Sequence, residues 1–171
     1  MIVVDAARRV SYLSDMTRSI IITSLVVCLV AAAPLCAQTV TTTNDLQFGN
    51  IYPGIPKEIL KTEVGSAAEF YVTGTEGAEV SIDFTLPTYM NLGGFNMQLL
   101  FYETSVALDS SATPDQTNPP VDDLDPWQTI YYRIGSNGLT IWLGGKLVPK
   151  LVQPPGDYNA DIVVTVTYTG N

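Results

Sequence analysis

Gly156-Asp157-Tyr158-Asn159-Ala160-Asp161-Ile162-Val163-Val164-Thr165-Val166-Thr167-Tyr168 is the stretch whose reading decides the fold. Tyr158, Ala160, Ile162, Val164, Val166 and Tyr168 recur at period two. Asp157, Asn159, Asp161, Val163, Thr165 and Thr167 fill the positions between them. Side chains of a strand alternate between its two faces, so this is a long strand with one apolar face and a mostly polar one. Pro154-Pro155-Gly156 makes the turn that launches it. A strand of this quality is expected to close the core, central enough to be buried on one face.

Working outward, the same period recurs along the chain. Leu46 and Phe48 alternate with polar residues up to Gly49. Lys57 to Val64 reads as a strand centred on Ile59-Leu60. Ala68, Phe70 and Val72 share a face, and after Gly74-Thr75-Glu76-Gly77 so do Val80, Ile82, Phe84 and Leu86. Two alternating runs around a Gly-containing loop predict a β-hairpin. Asn91-Leu92-Gly93-Gly94 turns the chain ahead of Met97, Leu99 and Phe101. Thr129–Gly135 and Leu139–Leu143 flank Ser136-Asn137-Gly138, and Asn-Gly between strands predicts a second hairpin. Gly144-Gly145 lacks the pattern of a phosphate loop, no helix follows, and it reads as a bend between strands. Residues 105–127 form the longest polar stretch, with four prolines. So long a loop in a compact domain is expected to be functional or mobile. No segment has a sustained helical period. About eight strands at spacings of about ten residues predict an all-β fold, an antiparallel β-sandwich of about seven to nine strands.

The beginning of the chain has a different character. Ser19–Ala33 is an uncharged apolar run, preceded by Arg18 and followed by Pro34-Leu35-Cys36-Ala37. Such a segment is expected to be a secretory signal peptide over residues 1–37, cleaved after Ala37, with an uncleaved anchor as the alternative. At fifteen residues the run is shorter than the roughly 20 that cross a bilayer. Met16-Thr17-Arg18 would itself open a signal of ordinary length, so residues 1–15 are read as a start-site artefact. Residues 38–45 form a lead, either flexible or a short edge strand, and 46–171 the sandwich domain. The expected location is secreted: periplasm, outer surface or extracellular. No membrane span is expected in the mature chain.

Composition narrows the partners. From residue 38 onward there are five basic residues against fifteen acidic ones, a net charge of −10. That surface repels phosphate backbones, and no basic stripe offsets it, so neither nucleic acid nor anionic membrane is expected. The chain has no His, and its two cysteines, Cys28 and Cys36, fall in the predicted signal. The mature chain is then expected to have no disulfide, no thiol nucleophile and no thiolate metal site. With neither His nor Cys the usual nucleophilic triads cannot be built. No catalytic residue and no cofactor is implied. Asp115, Asp122, Asp123 and Asp125 are weak candidates for Ca²⁺ ligation through oxygen, but their spacing fits no loop template and a solvated acidic loop is the plainer reading. Tyr52, Tyr71, Tyr102, Trp127, Tyr131, Tyr132 and Trp142 could line a carbohydrate-binding face. More often such residues fill a sandwich core. Tyr71 and Trp142 run out of phase with their strands' aliphatic residues and are expected to be exposed.

Several phrases read together resemble a family. They are Leu46-Gln47-Phe48-Gly49, Phe70-Tyr71-Val72-Thr73-Gly74 followed by Val80-Ser81-Ile82, then Leu143-Gly144-Gly145-Lys146-Leu147, and finally Gly156-Asp157-Tyr158 with Val164-Thr165-Val166-Thr167-Tyr168. The order resembles a family of secreted bacterial domains of unknown function, itself similar to spore-coat-protein-U and archaic chaperone–usher pilin domains. The resemblance implies an immunoglobulin-like β-sandwich whose motif residues are structural. It implies partners among other protein subunits or surface structures, with self-assembly by β-strand addition. Two departures stand out. Pilins of that group often carry a disulfide near the first strand, and none is expected here. Gln38–Asn44 also offers a donor strand only one aliphatic residue, Val40. The expected function is therefore an exported, non-enzymatic structural or interaction protein, with a sandwich completed by its own last strand. A monomeric module binding carbohydrate or calcium is the alternative.

Overall fold

The computed structural model describes residues 38–170. The predicted signal segment and both cysteines lie outside the described residues. None of the described residues is helical, and none forms a helix long and apolar enough to cross a membrane. Twelve strands follow in order: β1 (Thr39–Asn44), β2 (Lys57–Ile59), β3 (Ala68–Thr73), β4 (Glu79–Thr85), β5 (Tyr89–Leu92), β6 (Phe95–Leu100), β7 (Val106–Asp109), β8 (Val121–Leu124), β9 (Ile130–Arg133), β10 (Leu139–Leu143), β11 (Gly145–Val148) and β12 (Val163–Tyr168). They make a five-stranded sheet ordered β1-β3-β10-β7-β8, a four-stranded sheet β2-β11-β6-β5 and a three-stranded sheet β12-β4-β9. Every pairing is antiparallel.

One core joins the three. Phe70 and Val72 of β3, Val106 and Leu108 of β7 and Leu139, Ile141 and Leu143 of β10 meet Val80 and Ile82 of β4, Ile130 of β9, Met97 and Leu99 of β6, Leu147 of β11 and Val166 of β12. These are the in-phase residues of alternating strands, which is what an apolar face buried against a second sheet requires. Gly144 lets one strand serve two sheets. β10 and β11 are separated by this single residue, and a Cβ there would lie 2.6 Å from both Ile59 O and Lys61 N.

Both predicted hairpins are corrected. β3 lies in the five-stranded sheet and β4 in the three-stranded one. The loop at Gly74–Gly77 is thus an arch across the core. Likewise β9 pairs with β4, β10 pairs with β3 and β7, and Asn137-Gly138 joins the two sheets with only a Gly135–Gly138 bridge. Inward residues alternate identically whether two strands sit side by side or face each other, so periodicity does not separate the cases. The 105–127 stretch is also not one loop: it contains β7 and β8. All four residues of β7 are buried, so it shows no alternation to read. Lys57–Val64 keeps only three residues of strand before turning.

The decisive stretch is shorter than its pattern. Only Val163–Tyr168 is strand, and the preceding segment makes an isolated bridge between Asn159 and Asn91. Nor is it central: β12 pairs with β4 alone and lies at the edge of its sheet. Val166 is buried, whereas Val164 and Tyr168 are half-buried.

Candidate functional site

Outer strands present unpaired backbone groups, and proteins usually guard them with charge, a bulge or a cover. The outer strands here are β1, β8, β2, β5, β12 and β9. β8 carries Asp122 and Asp123, β2 carries Lys57 and Glu58, and β9 carries Arg133. β5 is met at Asn91, whose N–H donates to Asn159 O at 2.8 Å while Asn159 N–H donates back at 3.2 Å. β1 and β12 contain no charged residue. They are the least guarded edges, and they approach one another.

The direction of the free edge follows from the hydrogen bonds. Thr169 N–H donates to Glu79 O at 3.1 Å, so odd-numbered residues of β12 point their backbone at β4. Even-numbered ones point away: Val166 C=O accepts from the Gln38 side-chain amide just ahead of β1. Backbone groups of Val164 and Val166 therefore face the open side. Gln38 sits in that opening with its Oε1 buried and without a hydrogen-bond partner among the described residues. A buried acceptor left unpaired costs on the order of 1–3 kcal/mol, so this side chain is a poor stopper for the edge it covers.

β1 is held to β3 by a ladder from Thr39–Thr73 to Asn44–Glu69, with a register shift between Thr42 and Asn44. Thr39 and Thr73 share a hydroxyl hydrogen bond of 2.5 Å, and Asn44 Nδ2 donates to Ala67 O at 2.6 Å. Yet its first five residues are exposed, Val40 included. Apolar burial contributes little to holding this strand.

The motif residues converge on the core and the ends of these strands. Phe48, Phe70, Val72 and Ile82 are buried. Gly74 lies beneath the Tyr168 ring and Ile134, where any Cβ would collide. The Tyr168 hydroxyl accepts the Thr75 N–H at 2.8 Å, which pins the arch to β12. Gly145 packs under Phe101 and Leu46, Gly49 lies near the Lys57 ammonium, and Gly156 abuts Leu92. The Tyr158 hydroxyl donates to Pro154 O and accepts from Gln153, shaping the turn before β12.

The acidic residues are brought together only in part. Asp122 and Asp123 both meet Lys61 Nζ, at 2.7 and 2.6 Å, and Lys61 also donates to Thr104 O. Burial pulls the Lys61 ammonium down, but hydrogen bonds to the two carboxylates and their charge outweigh it, so its pKa stands above the ordinary value. The node ties β8 to the turn after β2. Asp115 instead accepts from Thr117, and Asp125 from the Trp127 N–H. No group of three or more metal-ligating side chains occurs among the described residues.

The aromatic residues do not share a face. Trp142 corrects its expectation, being 2% exposed, with its N–H donated to Glu69 at 3.0 Å. It lies on a central strand between Ala107 and Glu69, where the sheet's outer face is buried too. Tyr71 is half-buried, with its hydroxyl on Asn137 O. Trp127 packs edge-on to Phe101, at 6.5 Å and 74°, while Tyr131 points outward from β9. Sequence reasoning missed Gln38, Lys61 and Gln116, whose partners lie far along the chain, and Asp109, whose partners are backbone N–H groups of an irregular segment.

No curated protein matches this chain. A match does exist at the family level: residues 55–168, from just before β2 to the end of β12, fit a family described as Domain of unknown function (DUF4402). That span is about two thirds of the chain and includes both the arch and the open edge, so this protein belongs to that family.

Proposed function

We propose that this chain is an exported, non-enzymatic interaction protein whose open β12 edge accepts a strand from another protein subunit, as a building block of a pilin-like or coat-like surface assembly. One observation carries the reading. The strand expected to close the core lies at a sheet edge, uncharged, with Val164 half-buried and the edge met by a side chain whose own acceptor has no partner among the described residues. An added strand would supply N–H and C=O groups to Val164 and Val166 and cover the exposed side of the core. The incoming segment should be uncharged and alternate apolar with polar residues, matching the face of Val164 and Val166.

Val164→Pro tests this. Its N–H faces the open side, so proline there removes no bond of the β4 ladder but blocks pairing on the free edge. The wild-type chain should form multimers resolved by size-exclusion chromatography and stable in mild denaturant. The variant should fold, by near-ultraviolet circular dichroism, and elute as a smaller species. Equal elution of the two would reject strand addition at β12.

A further inference from the structure

Outside β1 and β12, two loops form a rigid apolar tip. Leu151 is 85% exposed and Val152 89%, beside Tyr52 at 68% and Ile55 at 61%. Slack loops do not account for this exposure. Gly54 N–H donates to Lys150 O at 3.1 Å, and a Cβ on Gly54 would lie 2.7 Å from Leu151 Cδ2. Gln153 accepts from Lys150 N–H at 3.1 Å and donates to the Tyr158 hydroxyl at 2.7 Å, while Lys150 Nζ reaches Asn96 at 2.8 Å. Directly beside the tip is a groove of about 670 Å³. Its lining includes the core residues Phe48, Met97 and Leu147 together with Met90 and Tyr158, and Asp157 stands among its polar residues.

We infer that the tip of one copy seats in the groove of a second copy, and the reverse, in a two-fold dimer. Large aliphatic side chains held almost fully in water mark an interaction surface. The convex and concave surfaces are neighbours on one chain, so a single two-fold axis satisfies both at once, each residue meeting its counterpart reciprocally. The charges agree. Lys150 lies on the tip, and Asp157, exposed and without an ion pair among the described residues, lies at the groove. Docking brings Lys150 of each copy toward Asp157 of the other. An anionic lipid surface is the poorer occupant, since it would meet Lys150 but set Asp157 against like charge, whereas a second copy offers an opposite partner to both. This contact uses neither β1 nor β12 and does not depend on strand addition.

The test uses protein expressed from the full coding sequence and purified after export, carrying Val164→Pro so that edge pairing is silent. Sedimentation velocity over a concentration series should show a monomer–dimer equilibrium. Leu151→Asp with Val152→Asp should raise the dimer Kd by more than about a hundredfold, because the two-fold axis withdraws four aliphatic side chains, two from each copy. Lys150→Glu or Asp157→Lys alone should weaken the dimer, and the two together should restore it. A monomer at every concentration, or a dimer indifferent to the tip substitutions, would overturn the inference, as would charge variants that fail to rescue each other. Tip-dependent binding of a monomer to phosphatidylcholine vesicles would overturn it too, by assigning the tip to lipid.

Discussion

Asp109 shows how much one side chain can organise. Its carboxylate is 2% exposed and accepts the N–H groups of Ser111 at 2.7 Å and Asp115 at 3.0 Å. That folds back the start of the stretch expected to be loose. Burial pushes this carboxyl up, but the N–H donors outweigh it and hold its pKa below the usual value. The sign follows: the charged form is favoured in the folded state. Its stabilisation is full above the unfolded carboxyl pKa of about 3.9 and is lost as pH falls below that toward the folded value. Asp109→Asn presents an amide N–H where an acceptor is needed. It should cost about 1.5–3 kcal/mol at neutral pH by urea denaturation, and the loss of stability on acidification should become shallower. An unchanged acid limb would show that other carboxylates set it. Nothing in Val106-Ala107-Leu108-Asp109 announces this role, because the N–H groups that define it lie two and six residues onward in an irregular segment.

At the scale of elements, alternation located strand faces well and strand neighbours badly. In β12 the in-facing set Val164, Val166 and Tyr168 is as read, yet burial differs along it because one side of the strand is open. Val166→Asp places a carboxylate in the core and should cost about 3 kcal/mol or more. Val164→Asp can turn its charge toward the open edge and should cost about half as much. Chemical denaturation of the two variants compares them, and equal losses would mean that the edge is closed in solution. The predicted strand stops short at its front because Asp157, Asn159 and Asp161 lie in a segment that meets β5 only at Asn91. Period two describes it, but no continuous partner turns it into a strand.

Across the whole molecule, β1 and β12 are where the domain is least finished. Deleting residues 38–44 removes exposed side chains, the β3 ladder and the Gln38 stopper together. The truncated chain should stay folded, with a Tm lower by roughly 5–10 °C, and should associate more strongly through the uncovered β12 edge. Calorimetry and size-exclusion chromatography check both, and weaker association on truncation would make the N-terminal lead itself the donor strand. The sequence by itself determined that the described chain is all-β, which residues face the core, and that Gly74 and Gly144 mark turning points. These are local properties, written in side-chain period and turn chemistry. Only the tertiary structure decided that the arches cross between sheets, that Trp142 is buried on an outer face and that the best strand lies at an edge. The physical reason is that the alternation of a strand records which of its faces is dry, whereas its place in a sheet depends on backbone hydrogen bonds that any residue except proline can make.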